Sequence, residues 1–181
     1  MGNSNRGGLK KSDIQRLQKQ VKMPLNEIEN FHREFKQNSF NGRFINKAKF
    51  HEVYNELFTG DARDFADNVF RTFDRDKNGF VDFEEFIIGV YVSAGTDVEQ
   101  KLRWAFKMYD IDGNGVIDKD ELSAIIKAVY RAVGTDVDYP PEVLADKLFK
   151  EMDADGNGEI SWEEFRDAAM KDDKVLKLLR P

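Results

Sequence analysis

Residues 74–85 read DRDKNGFVDFEE, residues 110–121 read DIDGNGVIDKDE and residues 153–164 read DADGNGEISWEE. All three fit D-x-D-x-N-G-x5-E, and each fixed position has a task in holding a hard cation. Asp74, Asp110 and Asp153 open the loops with anionic oxygens. Asp76, Asp112 and Asp155 supply a second oxygen, and Asn78, Asn114 and Asn157 a third. The glycine that follows, Gly79, Gly115 or Gly158, takes a sharp turn that a side chain resists. Position 7 (Phe80, Val116, Glu159) needs only its backbone carbonyl, so its side chain is free to vary. Position 9 (Asp82, Asp118, Ser161) acts through water. Glu85, Glu121 and Glu164 close the shell with two oxygens each. A donor set of oxygens, without nitrogen or sulfur, selects Ca²⁺ with Mg²⁺ as competitor.

Outward from the loops, position 8 is β-branched in all three (Val81, Ile117, Ile160), which suits a short strand that pairs two loops. Apolar residues at helical spacing flank each one. Phe70 and Phe73 lead into the first loop, and Phe83, Phe86, Ile87 and Val90 leave it. Leu102, Ala105, Phe106 and Tyr109 precede the second. Leu148, Phe149 and Met152 precede the third, with Phe165 and Ala168 after it. These are EF-hands, helix–loop–helix units that pair to bury a shared face, so three imply a fourth. It lies upstream, where Phe31, Phe35, Phe50, Tyr54, Leu57 and Phe58 keep the helix pattern around KQNSFNGRFINKAKF (36–50). With Gly42 at position 6, Gln37, Ser39 and Asn41 take positions 1, 3 and 5 and Ala48 position 12. With Phe50 just after position 12, Lys49 stands there instead. Neither frame has a closing carboxylate, so this hand is expected to be structural. The expected fold is all-α, two EF-hand pairs in one compact two-lobed chain. Residues 1–22 form a basic segment. Residues 23–95 form the N-terminal pair (hands at about 25–58 and 63–92), and residues 96–181 the C-terminal pair (hands at about 97–130 and 142–172) with its tail.

Charge supports the metal reading. The net charge is −6, yet the three loops carry −3, −4 and −5, leaving the rest of the chain at +6. Acid gathered into three short stretches points to cation binding rather than to a solvated surface. No long basic tract interleaves with aromatics, so nucleic acid is not an expected partner. The chain has no cysteine, which excludes disulfides, thiol catalysis and Cys-based zinc sites. No apolar run is long enough for a bilayer and no secretory leader is visible at Met1, so a cytoplasmic protein is expected, in which any membrane attachment is peripheral. His32 and His51 sit among helix residues with no evident nucleophile, and no enzyme is expected.

MGNS at 1–4, VFRTFD at 69–74, DFEEFIIGV at 82–90, EQKLRWAFKMYDIDGNG at 99–115 and KDDKVLKLLR at 171–180 resemble the neuronal calcium sensor family, in particular its recoverin, visinin-like and neurocalcin branches. The resemblance spans nearly the whole chain. It implies an N-terminal acyl group released by Ca²⁺, and a groove in the N-terminal lobe for an apolar helix or for that acyl chain. Position by position the groove falls on Phe31, Phe35, Phe50, Val53, Tyr54, Leu57, Phe58, Phe86 and Val90, residues that serve equally well as core. The family's Cys-Pro pair in the first loop is replaced by Ser39-Phe40.

At the N-terminus, Gly2 is the expected acylation site once Met1 is removed, although Arg6 stands where Ser or Thr is preferred. Arg6, Lys10, Lys11, Arg16, Lys19 and Lys22 face one acid, Asp13, as the second membrane signal that a single acyl chain requires. Ile14, Leu17 and Val21 add an apolar stripe to this segment. The expected function is a calcium sensor with three Ca²⁺ sites. Its expected partners are an amphipathic target helix and a membrane surface, and the pattern also allows a dimer. The alternative is a cytosolic calcium buffer that regulates no target.

Overall fold

The computed structural model describes residues 11–134 and 140–171. Gly2, Arg6 and Lys10, and the tail beyond Lys171, lie outside the described residues. Helix α1 (Lys11–Val21) precedes four helix–loop–helix units: α2 (Leu25–Asn38), β1 (Phe44–Asn46) and α3 (Lys47–Leu57); α4 (Arg63–Phe73), β2 (Phe80–Asp82) and α5 (Phe83–Ala94); α6 (Val98–Tyr109), β3 (Ile117–Asp118) and α7 (Lys119–Val133); α8 (Pro141–Met152), β4 (Glu159–Ile160) and α9 (Trp162–Lys171). Among the described residues the fold is all-α apart from these four short strands.

The strands pair the hands two by two. β1 runs antiparallel to β2 with Ile45 opposite Val81, and β3 antiparallel to β4 with Ile117 opposite Ile160. All four of these side chains are buried, each contributing about 1.5–3 kcal/mol of apolar burial. Helix starts follow from local chemistry. The side chains of Asn46, Asp82, Asp97 and Asp118 accept the N–H of the residue three positions on, each satisfying a donor that the first turn leaves unpaired.

The strand register decides the frame of the first loop. Val81 is position 8 of its loop, so Ile45 is position 8 of the first, and Lys49 is position 12. Position 1 is then Asn38, the last residue of α2, and positions 3 and 5 are Phe40 and Gly42. The frame with Gly42 at position 6 and Ala48 at position 12 is corrected. Asn41 and Gly42 adopt consecutive left-handed conformations, φ 53° and 69°, which is a tight turn and not the loop seen at Gly79.

Helix α1 shows what its apolar stripe faces. Leu17 and Val21 are buried against α2 and α5, and Arg16 is ion-paired with Glu84 of α5. The apolar stripe of this segment is spent on the core.

The two pairs of hands dock on one another. Gly60, between α3 and α4, donates its N–H to Ala132 O at 2.8 Å, and Thr59 Oγ1 donates to Val133 O at 2.5 Å. The approach is so close that a Cβ on Gly60 would lie 2.0 Å from Arg131 O, which only glycine avoids. Arg131 and Asp64 form an ion pair beside it at 2.5 Å. The ring of Phe73 meets Trp104 edge-on at 6.2 Å.

Candidate metal centres

Three groups of carboxylates converge among the described residues: Asp74, Asp76 and Glu85; Asp110, Asp112 and Glu121; and Asp153, Asp155 and Glu164. In each group one oxygen per residue lies within 4.8 Å of the others. The first hand assembles no such group among the described residues, in keeping with Lys49 at its position 12.

Each loop is folded around its acids by its own backbone. Glu85 Oε1 accepts from Arg75 N at 2.8 Å and Asp76 N at 3.3 Å, and its Oε2 accepts from Asp82 N at 3.0 Å. Asp74 accepts from Asn78 N and Gly79 N, at 3.0 and 2.9 Å. Asn78 Oδ1 accepts from Phe80 N at 2.8 Å, which brings the Phe80 carbonyl to its place in the loop. Glu121 repeats this with Ile111 N, Asp112 N and Asp118 N, and Asn114 Oδ1 accepts from Val116 N. Glu164 repeats it with Ala154 N, Asp155 N and Ser161 N, and Asn157 Oδ1 accepts from Glu159 N.

The closing glutamates have a second task that their spacing alone did not reveal. Glu85 is the third residue of α5 and forms a reciprocal capping box with Asp82; Glu121 does the same in α7 with Asp118. Ser161 takes this position in the last loop, where its hydroxyl donates to Glu164 Oε2 at 2.8 Å. The structure also calls for positive φ at position 4 of every loop. Gly113 and Gly156 meet that demand without cost, while Lys77 adopts φ 57° against its side chain.

The donor set fits a hard divalent cation. Among the described residues no Lys, Arg or His is ion-paired with any of these carboxylates. Asp74, Glu85, Asp110 and Glu121 are nonetheless buried. Like charges gathered out of water without a counter-charge are costly, and a bound cation removes that cost. Burial pushes the Glu85 carboxyl above its ordinary range. The N–H of Ser161 holds Glu164, which is more exposed, below it.

Family models match where the geometry lies: one described as an EF-hand domain pair over residues 99–170, and one described as an EF hand domain over residues 65–91. Human recoverin is 30% identical over 188 residues, covering 99% of this chain and 94% of its own. S-modulin of Aquarana catesbeiana is also 30% identical, covering 99% and 93%. The chain belongs to the neuronal calcium sensor family. Its EF-hands are calcium-binding units, and these relatives are calcium sensor proteins rather than enzymes. Of the two histidines, His51 pairs with Asp67, and His32 packs edge-on against Phe83 at 4.8 Å.

The residues that the family resemblance assigns to a groove fall into two aromatic clusters of the N-terminal pair. Phe31 and Phe35 meet Phe86 at 6.4 and 5.3 Å. Phe50, Tyr54 and Phe58 stack in series at 4.8 and 6.1 Å. Phe35 and Phe50 are buried; Phe31, Tyr54, Phe58, Phe86 and Val90 are half-buried; Val53 and Leu57 are exposed, Leu57 by 70%. Phe31 and Val90 also line a 280 Å³ cleft with Val21, Met23 and Tyr91. No helix among the described residues is long and apolar enough to cross a membrane.

Proposed function

We propose that the chain is a calcium sensor with three Ca²⁺ sites whose occupancy controls an apolar surface on the N-terminal pair. The observation that carries this reading is the set of three carboxylate clusters, unpaired with any cationic side chain among the described residues and each built into the first turn of an exiting helix. Asp74, Asp76, Asn78, the Phe80 carbonyl and Glu85 would hold one ion. Asp110, Asp112, Asn114, the Val116 carbonyl and Glu121 would hold the second, and Asp153, Asp155, Asn157, the Glu159 carbonyl and Glu164 the third, with Mg²⁺ as competitor. A bound Ca²⁺ supplies two positive charges where the entering helix, the ribbon and the exiting helix meet.

The chain's own residues explain how a loop can act on a surface. Glu85 caps α5 through Asp82, so its carboxylate cannot shift without shifting the first turn of that helix. Helix α5 carries Phe86 and Val90, which face Phe31 and Phe35 of α2. A change at Glu85 is therefore a change in how the two aromatic faces meet. An amphipathic helix of a target protein is the occupant that such an apolar face suits.

Membrane attachment belongs to the same reading. Gly2 is the acyl site and the basic residues of 1–22 the electrostatic second signal. Three ions would bring a chain of −6 to about neutral, weakening its repulsion from an anionic leaflet.

Calorimetric titration with Ca²⁺ in millimolar Mg²⁺, with the fluorescence of an apolar dye read in parallel, tests the proposal. Three sites with a rise in fluorescence are expected. Three sites without a rise would make the protein a buffer, and fewer than three would silence one of the loops. Equal co-sedimentation with liposomes in the presence and absence of Ca²⁺ would remove the membrane component.

A further inference from the structure

Three residues ahead of each metal loop stands a basic side chain: Arg71, Lys107 and Lys150. They occupy the same turn of α4, α6 and α8, yet only one of them reaches another hand. Among the described residues, the ammonium groups of Lys107 and Lys150 have no hydrogen-bond or ion-pair partner. The Arg71 guanidinium crosses from the second hand to the third. Its Nη1 donates to Lys107 O at 3.0 Å and to Asp110 O at 2.7 Å, and its Nη2 donates to Met108 O at 2.7 Å.

These three acceptors lie at the C-terminus of α6, where the last carbonyls of a helix lack partners within it. Asp110 is also the first ligand position of loop 110–121. Arg71 itself lies one turn before Asp74, the first ligand position of loop 74–85. One side chain thus joins the entrances of two metal loops that belong to different EF-hand pairs and share no strand. A planar fork of donors suits three carbonyls arranged around a helix end, which a single ammonium does not.

We infer that Arg71 is a positioning residue for loop 110–121, and that through it the occupancy of loop 74–85 acts on the affinity of loop 110–121. The inference rests on the three-site reading above. Ligation at Asp74 orders the last turn of α4, which holds the guanidinium in its cradle of carbonyls. The cradle in turn fixes the backbone of Lys107, Met108 and Asp110. The sign of the coupling is positive, and by linkage it acts equally in both directions. Loop 153–164 is not touched by Arg71 and is joined to loop 110–121 only through the β3–β4 ribbon.

The test is Ca²⁺ titration of the full chain, followed by the amide NMR signals of each loop, in the wild type, Glu85→Gln, Arg71→Gln, the double variant, and Arg71→Lys alone and with Glu85→Gln. In the wild-type background, Glu85→Gln should weaken loop 110–121 by about fivefold or more, the lower end of common coupling strengths. In the Arg71→Gln background the same change should shift it by less than about twofold. The amide chemical-shift dispersion of each metal-free variant should match that of the wild type, which reports that it is folded. Arg71→Lys keeps the charge and loses the fork, so coupling should fall nearly as far. An equal effect of Glu85→Gln in all backgrounds would make Arg71 a helix cap only, and full coupling in Arg71→Lys would put charge in place of geometry; either overturns the inference. If loop 110–121 takes no Ca²⁺ in the wild type, the three-site reading fails first, and the stoichiometry shows it.

Discussion

The first and second hands share one β-ribbon and nearly one backbone plan, yet only one of them gathers carboxylates. Ile45 and Val81 sit opposite each other at the same loop position. Asn46 and Asp82 cap the helices that follow by the same bond, to Lys49 N and Glu85 N, each at 2.9 Å. The two then part. Lys49 stands at position 12, its ammonium paired with Glu52, where Glu85 brings a carboxylate, and Asn38, Phe40 and Gly42 replace Asp74, Asp76 and Asn78. What pairs the hands is the apolar strand and the N-cap; what binds a cation is a separate layer of side chains. A hand can lose the second and keep the first.

The sharpest way to break this comparison is to remove the carboxylate from the hand that has it. Glu85→Gln should cost loop 74–85 more than the roughly 10- to 100-fold that losing a supporting residue costs a metal site, and it should leave the ribbon paired. Glu164→Gln should change total affinity least. Its loop offers three carboxylates at positions 1, 3, 9 and 12 against four in the others, and its ligands are the more exposed. Site-resolved Ca²⁺ titration decides both. A larger total loss from Glu164→Gln than from Glu85→Gln would reverse the ordering.

The opposite cut removes the shared layer and keeps the ligands. Ile45 makes no ligand, but its side chain is the first hand's share of the ribbon core. Ile45→Ala should destabilise the protein by about 2–4 kcal/mol through the cavity it leaves. It should also lower the affinity of loop 74–85, although every ligand there is intact. Denaturant unfolding together with titration of that loop measures the two effects. Unchanged affinity beside lost stability would mean that the pairing of hands does not shape the site.

The three carboxylate clusters were legible in the sequence because each loop position demands its own residue type. The frame of the first loop was not. A glycine that turns an EF-hand loop and a glycine that ends a tight turn look alike, and only the pairing of Ile45 with Val81 separates them. Periodicity likewise gave α1 an apolar stripe without saying what it faces, and Leu17 and Val21 face α2 and α5. The resemblance assigned nine groove residues, but burial divides them: Phe35 and Phe50 lie in the core while Val53 and Leu57 stand in solvent. Arg71 carried no sequence signal at all, since Lys107 and Lys150 hold the same position and make no such contact.

A finer contrast lies in how the loops meet acid. Burial raises the Glu85 carboxyl, whereas accepted N–H groups lower that of the half-buried Glu164. With Glu164 depressed, the folded state favours its ionised form, so the stability it adds is present above its unfolded value and lost as pH falls through its folded value. Glu85 has the opposite sign: its acid form is favoured by folding, so the ion-free protein gains at that site as pH falls. Because protons compete with metal for the same oxygens, Ca²⁺ should leave loop 74–85 at a higher pH than loop 153–164. Carboxyl-carbon NMR of the metal-free protein should show Glu85 protonating before Glu164, and the reverse order would remove the contrast.

The smallest expected effect is the most direct probe of the two layers. Lys49→Glu places a carboxylate at position 12 of the first loop, in the frame set by the ribbon. There it stands third in α3, behind an N-cap Asn46 whose side chain already accepts its N–H. The new carboxylate can accept the Asn46 N–H and complete a capping box, and it places negative charge at a helix start. Each is worth a few tenths to about 1 kcal/mol, offset in part by the loss of the Lys49–Glu52 ion pair at 2.8 Å. A small rise in Tm is therefore expected, with no fourth Ca²⁺ site. One bidentate acid cannot hold an ion against Asn38, Phe40 and Gly42, which contribute no carboxylate between them, on a backbone whose second left-handed residue is Gly42 at position 5, where the other loops have theirs at position 6. A fourth site in calorimetry would show that the first loop lacked only its closing residue, and that its different turn at Gly42 does not prevent binding.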